Sequence, residues 1–268
     1  MSKIAFLGAG NLAAAMVDGL IAQGATAKSD LACFTASGHS ARALAVRTGI
    51  VQATTLDELL DGADLLVVAF KPQHLAAADT RLAELTAGRL VISVLAGKRL
   101  ATLARVFALA RNLVRAMPNT PAAIGAAITP YCPLHPLTDT DAAAVAALLG
   151  AFGQHLPIGE EHMDAVTALS AGGPAFLFEF VAALRDAGIA ANLPAEISAR
   201  LSVETVLGAA RLLARRGVDP ETLRNQVTSP NGTTLAGLKK MEAGNFRATM
   251  RETILAAQAR AAELSKDG

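Results

Sequence analysis

Short apolar runs alternate with stretches of helical periodicity through the first part of the chain: "KIAFLGAG", "NLAAAMVDGLIAQG", "DLACFTAS", "SARALAVRTG", "ADLLVVAFKP" and "GRLVISVLAG". Strand followed by helix, repeated, predicts a parallel sheet wrapped on both faces. The runs "DLLVVAF" and "LVISVLA" are apolar without interruption, which places them at the centre of that sheet, where neither face meets water. Next comes "RNLVRAMPNTPAAIGAAITPYCP", whose repeated prolines forbid a long helix, so it reads as a strand, a loop and a further short strand.

The texture changes after "FGQHLPIGEE". From Glu160 onward the pattern is helical, with helices predicted over Glu160 to Leu169, Pro174 to Ala191, Pro194 to Arg216, Pro220 to Gln226, Thr233 to Ala243 and Phe246 to Ser265. Prolines near several starts, and Gly188, Gly217 and Gly244 at stops, support those limits. A boundary near Gly159 follows, giving an α/β domain over 1–159 and an all-helical domain over 160–268. The stretches "AFLFEFVAALRDAGI" and "ISARLSVETVLGAARLLARRG" carry wider apolar faces than about a hundred residues would bury among themselves, so the helical domain is expected to dimerise.

Composition narrows the function. Hydrophobic residues are 52% of the 268 and charged residues 18%, with 22 Gly and no Trp, a globular composition weighted towards small apolar side chains. A formal charge of +1 leaves no electrostatic footprint for nucleic acid or an anionic membrane, so a small ligand is expected. Cys33 and Cys132 stand far apart with no CxxC, which indicates neither a disulfide framework nor a zinc site and fits a reducing cytoplasm. Lys3 and the apolar run from Ile4 imitate a signal peptide, but Gly8, Gly10, Asn11 and Asp18 interrupt the run. The apolar stretch from Ala142 to Gly153 is too short to cross a bilayer and reads as a buried helix. His39, His74, His135, His155 and His162 are scattered singly, and neither HExxH nor a G-x-S-x-G around Ser170 occurs, so no metal site is expected.

"FLGAGNLAAAM" sets Gly8, Gly10 and Ala13 in the G-x-G-x-x-A arrangement, directly after a strand and into a helix. Gly8 permits the tight turn, Gly10 lets a pyrophosphate approach the backbone, and Ala13 lets helix and strand pack closely. Helix N-terminal N–H groups then hold the anion. The fold class read from these features is α/β, an N-terminal Rossmann-type doubly wound parallel sheet with an all-helical C-terminal dimerisation domain. At the end of the second strand, where an acid would bond the ribose 2′-hydroxyl of NAD, the chain reads "FTASGHSAR". Thr35 and Ser37, with His39 or Arg42, suit a 2′-phosphate, which favours NADPH and leaves NADH as the alternative.

"SPNGTTLAGLKKM", Ser229 to Met241, opens a helix with two adjacent hydroxyls and no acid, base or metal ligand beside them. Taken alone it is an N-cap, with threonine accepting from the first helical turn. Two further small-residue segments, "MPNTP" and "SAGGP", are loops where backbone can come close to a ligand. Together with "AFKP" and "VLAG" at the carboxyl ends of predicted strands, they resemble the pyrroline-5-carboxylate reductase family over nearly the whole chain and in motif order. "NQVTSPNGTTLAGLKKME" is the most specific piece.

The resemblance implies the last step of proline synthesis, in which NADPH gives hydride to the ring C=N carbon of 1-pyrroline-5-carboxylate. It implies a homodimer or a ring of dimers, with the site between one subunit's nucleotide domain and the dimerised helices. Cofactor contacts would come from Gly8, Ala9, Gly10, Asn11 and Leu12, then Ala69, Phe70, Lys71 and Pro72, then Ala96, Gly97 and Asn119, beside Thr35 and Ser37. Ser170, Gly172, Gly173, Asn231, Gly232, Thr233 and Thr234 would form the substrate end, with the Thr234 hydroxyl against the imine nitrogen as the catalytic contact. Two positions depart from the family pattern: Ser-Ala-Gly-Gly-Pro replaces Ser-Gly-Ser-Gly-Pro, removing a hydroxyl at Gly172, and Asn231-Gly232-Thr233 replaces Gly-Gly-Thr. Asn tolerates the same turn conformation as Gly. Three rival readings stand beside this one: a related imine reductase with another cyclic substrate, a β-hydroxyacid dehydrogenase, and a non-catalytic NADPH sensor. The second needs a helix Lys that "PAFLFEFVAAL" lacks.

Overall fold

The computed structural model describes residues 3–24 and 26–266. It forms two compact units, Met1–Gly172 with Ala257–Gly268, and Gly173–Ala256. The first holds one sheet of strands β1 (Lys3–Leu7), β2 (Leu31–Phe34), β3 (Val51–Gln52), β4 (Ala63–Val68), β5 (Leu90–Ser93), β6 (Asn112–Ala116), β7 (Ala127–Pro133) and β8 (Gly153–Pro157). Between and after them run α1 (Asn11–Ala22), α2 (His39–Thr48), α3 (Leu56–Leu60), α4 (Leu82–Leu85), α5 (Leu100–Val106), α6 (Asp139–Gly150) and α7 (Met163–Val166).

Strand order is β3-β2-β1-β4-β5-β6-β7-β8. The pairs from β3 to β6 are parallel, giving the doubly wound order with its switch between β1 and β4. Successive residues feed opposite faces: Ile4 and Phe6 enter one core, Ala5 and Leu7 the other, and Leu65 and Val67 alternate likewise with Leu66 and Val68. A sheet with two dry faces explains why β4 and β5 read as unbroken apolar runs, and both are central as expected.

The sheet is not parallel throughout. β7 pairs antiparallel with β6, and β8, which the sequence pattern did not reveal, adds to β7 in parallel. The connection over 117–126 contains only the 3-10 turn Thr120–Ile124, too little for the helical crossover that a parallel return requires. β8 is short and mostly unburied, so it lacks the apolar signature of its neighbours.

The second unit consists of α8 (Gly173–Ala190), α9 (Ala195–Arg216), α10 (Pro220–Gln226), α11 (Thr233–Ala243) and α12 (Phe246–Lys266), the last of which ends in the first unit. These helices match the pattern within a few residues, and no strand follows Glu160 among the described residues. The segment read as a helix from Glu160 to Leu169 is broken into a 3-10 turn (Glu160–His162), α7 and a π-turn (Thr167–Ala171). Gly188 does not stop α8: it sits inside the last turn, where a Cβ would fall on the Ser198 hydroxyl, so it lets α8 and α9 pack closely. The left-handed residue after that helix is Asn192.

The boundary between compact units falls after Gly172, beyond the Gly159 suggested by the change of texture. Met163 and Ala168 are buried, and Glu160 and Asp164 pair with Arg115 of β6, so 160–172 is tied to the sheet. In the second unit α8, α10 and α11 bury no residue, and Leu177, Phe178, Phe180, Ile197, Leu201 and Val203 are exposed. The stretch 160–190 is by length and composition long and apolar enough to cross a bilayer.

Cys33 and Cys132 are free and buried, and burial pushes each thiol from the ordinary 9.0 up to about 11. The thiolate, not the thiol, is the nucleophile. Neither cysteine is therefore expected to react with a thiol reagent at pH 8 in the folded protein, whereas both should react in denaturant. Because the folded pKa lies above the unfolded one, the stability each thiol contributes is complete below pH 9 and is lost as pH rises through about 11. Native labelling at pH 8 would show that these positions open far more readily than their burial implies.

Candidate active site

The carboxyl ends of the parallel strands are laced together by main-chain bonds. Gly8 N donates to Phe34 O at 2.9 Å, Ala69 N to Leu7 O at 2.8 Å, and Val94 N to Val68 O at 3.0 Å. Those bonds bring four sequence-predicted segments to one edge: Gly8–Leu12 after β1, Thr35 and Ser37 after β2, Ala69–Pro72 after β4, and Ala96–Gly97 after β5. Ligands of open α/β sheets lie at this edge, at the switch point.

Gly8 has φ of +120°, and a Cβ there would fall on the Ala69 carbonyl. Only glycine allows both the turn and the approach to β4. Gly10 is the N-cap of α1 with no side-chain cap, and a Cβ on it meets nothing within 4 Å. The room beside Gly10 is thus open among the described residues. Ala13, in the first turn of α1, is fully buried, as close helix–strand packing requires. The first turn of α1 holds no acid, so its N–H groups face the edge without a competing negative charge.

Thr35 Oγ1 is buried and meets no partner among the described residues. A buried hydroxyl left unpaired costs about 1–3 kcal/mol, which a bound oxygen group would recover. Nearby, Ser37 is exposed, Gly38 caps α2 with backbone alone, and Arg42 is exposed in that helix. A phosphate-rich dinucleotide fits this edge: an open approach at Gly10, an uncapped helix start and an orphaned hydroxyl at the second strand.

Lys71 is exposed at the head of the 3-10 turn Pro72–Ala77, and Ala96 and Gly97 lie in the bend after β5. Sequence reasoning did not single out the residues that hold this bend. Glu160 accepts from Leu100 N at 2.7 Å, capping α5, and pairs with Arg115 at 3.2 Å, while Asp164 lies 3.9 Å from Arg115. Arg115 is 3% exposed. Its signal was legible, since a charged residue inside the apolar run "NLVRA" must find a partner.

Asn119 sits at the head of the turn after β6 with its amide bonded to main chain at both ends. Ser170 lies in the π-turn, a geometry frequent at functional sites, and its Oγ is buried without a partner among the described residues. Gly172 closes that turn, donating to Thr167 O at 2.9 Å. These residues belong to the first unit, whereas Gly173, Asn231, Gly232, Thr233 and Thr234 belong to the second.

The turn before α11 settles the status of the two threonines. Asn231 takes the left-handed conformation with φ of +59°, Gly232 N donates to Ser229 O at 3.1 Å, and Gly232 itself is the N-cap with no side-chain bond. Thr233 and Thr234 are the first two residues of the helix. The N-cap reading is thereby corrected: neither hydroxyl caps the helix, and both residues are exposed. The first turn of α11 carries no acid. Together these features make a helix start that offers N–H groups and two exposed alcohols that take no part in its cap.

Comparison with known proteins agrees with this geometry. The family model described as NADP oxidoreductase, coenzyme F420-dependent, matches residues 3–97, and that for pyrroline-5-carboxylate reductase dimerisation matches 160–264. A pyrroline-5-carboxylate reductase of Arabidopsis thaliana is 38% identical over 265 residues, covering 98% of this chain and 96% of that protein. The structure of a pyrroline-5-carboxylate reductase from Coxiella burnetii aligns with a TM-score of 0.92 at 31% identity, covering 98% of each chain. A Plasmodium falciparum pyrroline carboxylate reductase, crystallised with NADP bound, aligns with a TM-score of 0.86 at 26% identity and 98% coverage of each chain. With its relatives matched end to end, and with both the turn at Gly8 and the turn at Asn231 inside the matched regions, the chain belongs to the pyrroline-5-carboxylate reductase family.

Proposed function

We propose that this protein reduces 1-pyrroline-5-carboxylate to L-proline with NADPH, the last step of proline biosynthesis. The observation that carries the reading is the start of α11, where a backbone cap leaves the Thr233 and Thr234 hydroxyls uncommitted. Family membership over the whole chain supports it. When bound, NADPH supplies the hydride that reduces the C=N carbon.

The chain's own residues bind and orient. Main-chain N–H groups at Gly8–Leu12 hold the pyrophosphate, and Thr35 with Ser37 receives the 2′-phosphate; Ala69–Pro72 and Ala96–Gly97 line the same edge. At the substrate end, the first turn of α11 holds the carboxylate through N–H groups. Thr234 Oγ bonds the ring nitrogen and sets its orientation, and the buried Ser170 hydroxyl contributes a second contact. None of Ser229 to Thr234 is titratable. A cyclic imine protonates readily near neutral pH, and the iminium then accepts hydride without an acid or base from the protein. Positioning alone can account for about 7–11 kcal/mol of the barrier.

The exposed apolar faces of α8 and α9 fit a second copy of the chain, which accounts for the length and hydropathy of 160–190 without a membrane. A homodimer is the unit we propose, with a ring of dimers as its further assembly. The two buried, reduced cysteines suit a cytoplasmic setting.

Mixing the protein with NADPH and pyrroline-5-carboxylate should consume reduced-nicotinamide absorbance and yield proline. Turnover of a different cyclic imine in its place would make the chain an imine reductase of other specificity. NADPH binding with turnover of neither would make it a sensor.

A further inference from the structure

The resemblance assigns Asn119 to the cofactor, and each end of its amide also bonds main chain. Oδ1 accepts from Ile128 N at 3.1 Å, and Nδ2 donates to Ser170 O at 3.4 Å. The two partners fix the amide's orientation, since an N–H can bond only its oxygen and a carbonyl only its nitrogen. Ile128 is the second residue of β7, whose start is itself held by the bond from Ala127 N to Phe152 O at 3.1 Å. Ser170 sits in a π-turn closed by Gly172 N to Thr167 O and braced by Thr167 Oγ1 to Met163 O at 2.8 Å. Ala168 anchors that turn in the core, but Leu169 beside it is 66% exposed, so the Ser170 side has no apolar anchor of its own.

We infer that Asn119 is a positioning residue for the substrate: it ties the π-turn to the start of β7 and so fixes the place of the buried Ser170 hydroxyl. The inference rests on the proposed reading in which Ser170 faces the substrate. Asn119 then acts on the substrate through Ser170.

The test is a double-mutant cycle in the full-length protein. Asn119→Asp keeps the oxygen that accepts from Ile128 N and sets a second carboxylate oxygen against Ser170 O in place of the donor. Ser170→Ala removes the hydroxyl itself. Each is expected to raise KM for pyrroline-5-carboxylate about tenfold with NADPH affinity unmoved. The double variant should be no worse than Ser170→Ala, because the two act in series. Hydrogen exchange over 167–172 should quicken in Asn119→Asp while β7 exchanges as before. Asn119→Ser, which removes both ends of the amide, should give the same rise in KM and serves if the aspartate variant fails to fold. Losses that add in the double variant, weakened NADPH binding with KM unchanged, or unaltered exchange over 167–172 would each overturn the assignment. Absence of pyrroline-5-carboxylate turnover by the unaltered protein would instead remove the functional reading, and the exchange measurement would still decide whether Asn119 holds the turn.

Discussion

Thr234→Ala is expected to lower the turnover rate about ten- to a thousandfold, the range seen when one positioned hydrogen-bonding group is removed from a reacting centre. NADPH affinity should stay nearly intact, since the cofactor residues lie at the sheet edge and not in α11. Stability provides the control. Were Thr234 a cap, alanine would cost about 1 kcal/mol. The cap is instead Gly232, and Thr234 is exposed inside the first turn, where alanine is the better helix former. Turnover should therefore fall while the melting temperature holds or rises slightly. An unchanged rate would take Thr234 out of the chemistry, and a lowered melting temperature would restore its cap role.

Gly8→Ala and Gly10→Ala should fail in different ways, although both glycines belong to one motif. At Gly8 an added Cβ meets the Ala69 carbonyl and the backbone has φ of +120°. Strain of that kind costs about 1–3 kcal/mol, and the clash with β4 main chain adds to it. Gly8→Ala is expected to lose at least about 3 kcal/mol of stability, read as a large drop in melting temperature or as insoluble protein. At Gly10 a Cβ meets no protein atom, so the melting temperature should hardly move, but the methyl group occupies the approach of a phosphate to the backbone. A weakening of NADPH binding by about tenfold or more is expected there, measured by titration of the folded variant. Equal melting temperatures for the two variants would contradict the distinct surroundings of the two glycines.

Where the chain's burial is two-sided or its breaks are chemical, the fold was legible from sequence. β4 and β5 announced themselves because both faces of each are dry, and α9 and α10 because Pro194, Gly217 and Pro220 mark their limits. The phosphate turn was legible because glycine spacing and a following helix demand each other. β8 escaped because an edge strand with exposed residues lacks the apolar signature. The reversal of β7 escaped because direction depends on how much chain remains for a crossover, and composition does not carry that. The π-turn at Thr167–Ala171 was hidden inside a helical pattern that it widens without changing its residues. Thr35 and Ser170 were picked for their hydroxyls, but only coordinates show both oxygens sealed from solvent and unpaired. Asn119 shows another case, a residue chosen for a ligand whose amide also bonds main chain at both ends, a structural role that the sequence did not signal.

Ser265 is 3% exposed, accepts from Arg99 at 3.2 Å and lies 3.4 Å from Asp164, and Leu264 packs against Gly97, so the last turn of α12 finishes the nucleotide unit. The nucleotide unit is thus discontinuous along the chain, with Gly173–Ala256 set between its two pieces. The bend after β5 has one brace from each piece, Glu160 on Leu100 N from the first and Leu264 beside Gly97 from the second.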